Sequence, residues 1–249
     1  MKTSGIIYGI NPVYEALSAG IRLEQVLISK NKKNARIEKI ISLCREKHIN
    51  FRFEDESILY RHTDGHQGVI ALPVSGPSLL QSPDELISLL DKKEQALVLL
   101  LDGITDPHNL GAVSRSAFFF GADCLIADLH NSCPVNDTVH KTSAGASLGL
   151  KYLFTKLSAA INALQDASFT VYAAVLDHDA QKITDTQFSG RSAILLGSEG
   201  RGIRRHLREM DIEKIFIPRV RTFNSLNVSC AASVLLYEYA RQINISKKI

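Results

Sequence analysis

The apolar residues of this chain fall into two patterns: short continuous runs, and longer stretches in which they recur every three or four positions. Six runs predict strands, at Leu97–Asp102, Cys124–Ala127, Lys151–Phe154, Thr170–Val175, Ala193–Leu196 and Ile215–Ile217. Several are apolar throughout, which is typical of strands covered on both faces in a parallel sheet. Helical patterns lie between most of them, so residues 96–249 are predicted to form a doubly wound α/β domain.

Residues 1–74 carry the pattern of a smaller α/β unit. Strands are predicted at Gln25–Ser29, Ile49–Phe53 and Val69–Leu72, with a helical stripe at Ile37, Ile40, Ile41 and Cys44. An earlier helix is predicted to have Asn11 as its N-cap, Pro12 as its first residue and Gly20 at its end. Residues 75–95 contain Ser, Gly and Pro and are predicted to be a linker, in which the capping box Ser82–Glu85 starts a short helix.

The last strand is followed by a polar loop and a long helix whose apolar stripe is Val228, Ala231, Ala232, Leu235, Leu236 and Tyr239. Ser225 or Asn227 could simply cap this helix, since both residue types accept hydrogen bonds from a first helical turn. However, polar loops also follow two other strands, at residues 102–109 (DGITDPHN) and 197–202 (GSEGRG). Loops at one edge of a parallel sheet build a site together, so these three are predicted to converge.

Composition restricts the class of protein. An apolar content of 45% indicates a globular chain, and the longest apolar run, Ala96–Leu101, is too short to span a bilayer. The N-terminus lacks the continuous apolar region of a signal peptide. The four cysteines form no CxxC pair, which argues against a zinc site or a disulfide framework and favours a reducing, cytoplasmic location. Cys230 is predicted to be a core residue of the last helix.

The net charge of +3 is uninformative, but its distribution is not. One basic cluster contains Lys30, Lys32, Lys33 and Arg36, and a later one contains Arg201, Arg204, Arg205 and Arg208, followed by Arg219 and Arg221. Such patches either bind a polyanion or form solvated helix faces.

Several common sites are missing from the sequence. There is no Walker A motif, no HExxH and no GxSxG, and the first strand of the larger domain is not followed by a glycine-rich dinucleotide turn. The histidines form no spaced cluster, so no metal is predicted. His108, beside Asn109, is either a site residue or an ordinary loop histidine.

Three segments resemble the motifs of the SpoU (TrmH-like) RNA ribose 2′-O-methyltransferases, in the family's order and spacing. They are Asn109–Arg115 (NLGAVSR), Gly197–Gly200 (GSEG) and Ser225–Val228 (SLNV). Residues 1–74 resemble the ribosomal-protein-like substrate-binding domain of the branch that methylates a guanosine ribose in large-subunit ribosomal RNA. The resemblance therefore implies RNA as the substrate, S-adenosylmethionine as the cofactor, a homodimer, and a trefoil-knotted parallel sheet of the SPOUT type.

The resemblance also implies roles for single residues. The reaction centre would contain Asn109, Arg115, Glu199, Ser225 and Asn227, and the cofactor would contact Gly197, Ser198, Gly200, Ile217, Pro218 and Leu226. The basic clusters, and not the resemblance, provide the predicted RNA-binding residues, which are Lys30, Lys32, Lys33, Arg36, Arg201, Arg204, Arg205 and Arg221. The family usually has glycine at position 221 and often an apolar residue at 219, whereas both are arginine here. Arg221 either points outward to RNA phosphate or reshapes the pocket.

The residue matching Arg115 has been considered a base in this family. A guanidinium with a pKa above about 12 is a poor base at neutral pH. We expect instead that Arg115 clamps a phosphate and stabilises the developing alkoxide, while Asn109 orients it or the ribose. Glu199 either holds its loop or a nearby donor, or is a charge that favours a helix N-terminus.

Two other functions remain open from the sequence: a non-catalytic RNA-binding protein and a nucleotide-dependent oxidoreductase. The intact set of reaction-centre residues disfavours the first, and the missing phosphate-binding turn disfavours the second. Transfer RNA is an alternative substrate to ribosomal RNA.

Overall fold

The structure is a computed structural model that describes residues 5–221 and 225–243. Contacts divide the chain into two compact units. The first contains residues up to Ser78 together with Pro134–Gly149, and the second contains Leu79–Cys133 and the residues from Leu150 onward. Within the described ranges, no helix is both long enough and apolar enough to cross a membrane.

The N-terminal part of the first unit is a four-stranded sheet with three helices. Its elements are β1 (Ile7–Tyr8), α1 (Ile10–Ser18), β2 (Leu23–Ser29), α2 (Ala35–Glu46), β3 (Asn50–Glu54), α3 (Glu56–Tyr60) and β4 (Val69–Pro73). The strand order is β1-β4-β2-β3, with β4 antiparallel to both neighbours and β2 parallel to β3. Helix α2 buries Ile37, Ile40 and Cys44 of the predicted stripe.

The start of α1 differs from the prediction. Gly9, not Asn11, is the N-cap, and Asn11 and Pro12 lie inside the first turn. Gly9 has a φ of 96°, a left-handed value that glycine adopts at little cost, so the chain turns into the helix earlier than its polar residues suggested. Proline is tolerated there because the first N–H groups of a helix have no intrahelical partner.

The remaining elements follow from residue 78 onward. They are β5 (Ser78–Leu80), α4 (Pro83–Leu90), β6 (Ala96–Asp102), α5 (Pro107–Phe119), β7 (Cys124–Asp128), α6 (Asp137–Thr142), β8 (Lys151–Thr155), α7 (Leu157–Asp166), β9 (Thr170–Ala174), β10 (Gln181–Lys182), β11 (Arg191–Gly197), α8 (Arg205–Arg208), β12 (Glu213–Phe216) and α9 (Val228–Ile243). Each of the six predicted strands of residues 96–249 is present, with ends shifted by one or two residues.

The second unit is built on an eight-stranded sheet in the order β10-β12-β9-β11-β6-β7-β8-β5. Neighbouring strands from β10 to β8 are all parallel. All seven residues of β6 are buried, as expected for a central strand covered by helices on both faces. The predicted parallel α/β fold is confirmed.

Two segments are more structured than the predicted domain division into 1–74, 75–95 and 96–249 suggested. In the predicted linker, Ser82 Oγ accepts the Glu85 N–H (3.2 Å) at the start of α4, whose Leu86 and Leu90 are buried in the core of the second unit. Residues 134–149 belong by contacts to the first unit, where the Gly5 N–H donates to Asp137 Oδ1 (2.9 Å). The division itself stays a prediction.

Candidate active site

The register of the sheet brings two of the polar loops together. Gly197 at the end of β11 pairs with Asp102 at the end of β6, so the loops that follow these strands start side by side. A methyl group added to Gly103 would lie 3.5 Å from the side chain of Ser198. The parallel arrangement therefore places both loops at the same edge of the sheet, as predicted.

Side chains from all three polar loops meet at this edge. Asn109 Nδ2 donates to Glu199 Oε1 (3.3 Å), and Asn227 Nδ2 donates to Asn109 Oδ1 (3.0 Å). Asn227 Nδ2 also contacts Glu199 Oε1 directly. Residues separated by 28 to 118 positions in sequence thus form one hydrogen-bonded group.

The loop that carries Glu199 is a tight turn. The Gly202 N–H donates to the Ser198 carbonyl (2.9 Å). Gly200 has a φ of 87°, at which any residue with a side chain would be strained. Gly197 is required for a different reason: a methyl group there would lie 2.6 Å from the Gly202 carbonyl oxygen, and closer still to other backbone atoms. The glycines of GSEGRG therefore allow the chain to fold back on the end of β11.

This turn borders a cavity of about 630 Å³ at the ends of β9, β11 and β12. Its lining includes each of the six residues predicted to bind the cofactor, namely Gly197, Ser198, Gly200, Ile217, Pro218 and Leu226. Glu199 and Ser225 line it as well. The volume is within the range of roughly 300–1,000 Å³ that is usual for small-molecule sites.

The cavity combines apolar walls with a polar rim. Apolar side chains such as Leu196, Phe216 and Val228 supply most of its walls, and the glycine-rich turn brings backbone N–H and C=O groups to its rim. Charged side chains on the lining are Glu199, Arg201, Arg208 and Arg219. Across the described ranges, no group of three or more His, Cys, Asp or Glu side chains is placed to hold a metal ion.

Arg115 is the one predicted reaction-centre residue outside this arrangement. Its side chain is exposed on α5, and it does not line the cavity. Phe119, one turn further along the same face of α5, is 80% exposed. Within residues 5–221 and 225–243, Arg115 makes no hydrogen bond or ion pair, so its guanidinium is available to a molecule outside this part of the chain.

Asn227 and Glu199 each combine a helix-terminal role with a place in the cluster. Asn227 Oδ1 accepts the Ser229 N–H (2.9 Å) at the start of α9, so this side chain caps the helix while its amide group joins the active-site cluster. Glu199 lies in a loop, but its partners are in the first turn of α5 and immediately before α9. A carboxylate at this position also interacts favourably with the dipoles of α5 and α9 at their N-termini.

The predicted RNA-binding residues differ in how free they are. Lys30, Lys32, Lys33 and Arg36 are exposed in the first unit, where Lys30 pairs with Asp55 (3.2 Å). Arg201 and Arg221 are exposed in the second unit. Arg205 is 84% exposed and pairs with Glu209 (2.6 Å). Arg204 is committed to two buried carboxylates, those of Asp102 and Asp128.

Two residues considered in the sequence are exposed in the structure. The prediction that Cys230 is a core residue is wrong, because Cys230 is exposed. The buried apolar stripe of α9 lies on a different face of the helix. His108 is exposed in the first turn of α5, and its backbone N–H donates to Asp106 Oδ1 (2.9 Å).

Sequence reasoning missed part of the cavity. Residues 174–176, at the end of β9, and Arg208 of α8 also line it. The polar stretch Asp177–Asp179 follows β9 as the other polar loops follow their strands, so the same pattern could have pointed to this end.

The sequence profile of the SpoU rRNA methylase family matches residues 96–237, more than half of the chain. The chain belongs to this family. A second profile, described as RNA 2′-O ribose methyltransferase substrate binding, matches residues 6–72. The predicted family is thereby confirmed.

Two rRNA methyltransferases match nearly the full length of the chain. It is 32% identical to the 23S rRNA (guanosine-2′-O-)-methyltransferase RlmB of Escherichia coli K12, over 96% of this chain and 99% of the relative. It is 33% identical to RlmB of Photorhabdus laumondii, over 96% and 98% of the two chains.

Solved structures of the SpoU family have the same fold. A crystal structure of an RNA 2′-O ribose methyltransferase matches with a TM-score of 0.69 at 27% identity, covering 97% of this chain and 89% of that one. The SpoU methyltransferase AviRb from Streptomyces viridochromogenes, in complex with AdoMet, matches with a TM-score of 0.70 at 21% identity, covering 96% and 90%.

Proposed function

We propose that this protein transfers a methyl group from S-adenosylmethionine to a ribose 2′-hydroxyl of RNA, and that its substrate is a guanosine of 23S ribosomal RNA. The observation that carries the proposal is the convergence of Asn109, Glu199 and Asn227 beside the cavity, in a chain of the SpoU family. Similarity to RlmB over nearly the full length of both chains supports the ribosomal substrate.

The cofactor supplies a methyl group already activated on a sulfonium, so the protein has to align the donor and the acceptor and accommodate the proton that the ribose loses. The backbone around Gly197, Ile217 and Leu226 would hold the adenosine end within the cavity. Ser225 lines the same cavity and is a candidate to contact the reacting groups.

The hydrogen-bonded cluster would fix the geometry of this site. Glu199 accepts from both amides, so it holds the start of α5 and the start of α9 against its own turn. Arg115 would clamp a phosphate of the bound RNA and stabilise negative charge on the ribose oxygen. Its exposure and lack of a partner within the described ranges leave the guanidinium available for this role.

The first unit would bind RNA through its exposed basic residues. Lys30, Lys32 and Lys33 lie in the loop between β2 and α2, and Arg36 lies in the first turn of α2, all within the segment matched by the substrate-binding profile. Phosphate contacts of this type contribute affinity without sequence readout. Arg201, Arg205 and Arg221 would add contacts from the second unit, Arg201 at the cavity itself.

A homodimer is part of the proposal, and an apolar surface on α5 and α9 supports it. Phe119 is 80% exposed, Tyr237 is 51% exposed and Val234 is 37% exposed. Phe120 stacks edge-on against Tyr237 at 6.3 Å between ring centroids, so these side chains form one surface. Exposed apolar groups that form a continuous surface are typical of association sites. A second copy packed there would also bring Arg115 into the interface.

The trefoil knot and a cytoplasmic location complete the proposal. The knot rests on membership of the family, and the cytoplasmic location rests on a ribosomal RNA substrate and on the scattered, unpaired cysteines.

Titration calorimetry tests the cofactor first. We expect S-adenosylmethionine to bind with one site per chain, and NAD or NADP to show no heat of binding. Tritium transfer from labelled S-adenosylmethionine to 23S ribosomal RNA then tests the reaction, with transfer RNA as the comparison. Binding of a nicotinamide cofactor and not of S-adenosylmethionine would overturn the proposal, and label in transfer RNA alone would overturn the choice of substrate.

A further inference from the structure

The ends of β6 and β7 place two carboxylates next to each other. Leu101 pairs with Ala127 in the parallel register, so Asp102 and Asp128 are the next residues on the two strands. Asp102 is only 2% exposed and Asp128 only 6%. Two buried like charges at neighbouring positions destabilise a sheet unless a cation lies between them.

Arg204 supplies that cation. Its Nε lies 2.7 Å from Asp102 Oδ1, an ion pair in which the N–H is not aligned for a hydrogen bond, and its Nη2 donates to Asp128 Oδ2. Burial raises the pKa of Asp128, but the hydrogen bonds from Arg204 and from the His130 N–H outweigh it and leave the pKa below its usual value.

The backbone of Arg204 is held at the same point. Its N–H donates to Asp102 Oδ2 (2.7 Å). Gly197 is the register partner of Asp102, so the chain leaves the sheet beside Asp102 and returns to the same residue at Arg204, after a turn formed by residues 198–203. This turn lines the cavity and carries Glu199, which holds Asn109 and Asn227.

We propose that Arg204 is a positioning residue for the cofactor cavity: by joining Asp102 and Asp128, it closes the turn that carries Glu199, and it does not contact RNA. This inference rests on the proposed function, since it assigns the turn to the binding of S-adenosylmethionine. It differs from the sequence-based expectation, which placed Arg204 among the RNA-binding residues.

The Arg204→Gln variant separates the two roles. If Arg204 positions the turn, the Kd for S-adenosylmethionine rises by at least about tenfold. The reason is that a misplacement of about 1 Å in a preorganised site can lower its effectiveness by up to roughly 100-fold. The affinity for RNA without cofactor, and its dependence on salt, stay as in the wild type. An RNA-contacting arginine would give the reverse, with unchanged cofactor affinity and a salt slope lowered by about one.

Two further variants test the same role. Arg204→Lys keeps the charge but cannot bridge both carboxylates with a planar fork, so its cofactor affinity falls between those of the wild type and Arg204→Gln. Arg205→Gln changes the adjacent, exposed arginine and leaves the cofactor Kd within about twofold.

The outcomes distinguish this inference from the proposed function. If the wild type binds no S-adenosylmethionine, the proposed function fails. If the wild type binds it and Arg204→Gln binds it equally well, the positioning role of Arg204 is wrong. Should Arg204→Gln fail to fold, Asp128→Asn carries the same test, because it removes one carboxylate and leaves the pair of Arg204 with Asp102.

Discussion

Replacing Gly197 by alanine tests whether the glycine-rich turn shapes the cofactor cavity. The new methyl group would lie 2.6 Å from the Gly202 carbonyl oxygen, well inside the roughly 3.5 Å at which non-bonded atoms are at their optimal separation. The colliding atoms belong to backbone, so no change of rotamer relieves the overlap. Either the end of β11 or the turn at Gly202 has to move.

The expected cost follows from this geometry. Overpacking a well-packed region costs about 1–3 kcal/mol, and collision with backbone is at the upper end of that range. Because every 1.4 kcal/mol corresponds to tenfold in binding, about 3 kcal/mol weakens the cofactor by roughly 100-fold if the cavity absorbs the distortion.

Two glycines provide matched controls. Gly200 has a φ of 87° but open space around its Cβ position, so Gly200→Ala adds only the strain of a left-handed residue, about 1–2 kcal/mol. Gly76 has open space and no positive φ, so Gly76→Ala is expected to be neutral. Titration calorimetry with S-adenosylmethionine should show a weaker cofactor affinity for Gly197→Ala than for Gly200→Ala. Thermal melting checks that both variants are folded. A Gly197→Ala protein that binds and melts like the wild type would refute the argument.

Three further predictions concern Arg115, Glu199 and a pair of buried histidines. Arg115→Lys should lower turnover by about 100-fold while cofactor affinity is unchanged, since Arg115 does not line the cavity; wild-type turnover would rule out a need for the forked guanidinium. Glu199→Ala should lower methyl transfer by at least about tenfold, because two amides lose their acceptor; intact activity with a lower melting temperature would show that Glu199 only favours helix N-termini. Burial lowers the pKa of His66 and of His140, both in the first unit, so the unfolded chain binds these protons more readily than the folded one. Their contribution to the free energy of unfolding is therefore fully present above about pH 6.5 and should be lost as the pH falls below that value. Melting temperatures at about pH 7.5 and about pH 5.5 should differ more for the wild type than for a His66→Asn, His140→Asn double variant, and equal shifts would contradict this assignment.

The sequence predicted the elements of the larger domain well because its strands are buried on both faces. A short, continuous apolar run such as the one in β6 is typical of a buried parallel strand, and the polar loops after these runs marked the edge of the sheet where Asn109, Glu199 and Asn227 meet. The cavity residues followed from the family resemblance and from the glycine-rich turn, whose close backbone approach is visible at Gly197.

Features that depend on tertiary contacts were not predictable in the same way. The sequence shows that Arg204 is one of several clustered arginines, but only the register of β6 and β7 shows that it forms ion pairs with two buried carboxylates. The early start of α1 depends on the positive φ of Gly9, and the contribution of residues 134–149 to the first unit depends on contacts such as that of Gly5 with Asp137. No periodic pattern in the sequence encodes these pairings.

The most direct test of the proposed reaction is to locate the methyl group. The assay combines purified protein, unmodified 23S ribosomal RNA and S-adenosylmethionine with a labelled methyl group. After complete digestion of the RNA to nucleosides, mass spectrometry should find the label on the ribose of guanosine. An Asn109→Ala, Asn227→Ala variant should give none, because the cluster that joins the three loops is lost. Label on a base, or equal transfer by the variant, would contradict the account.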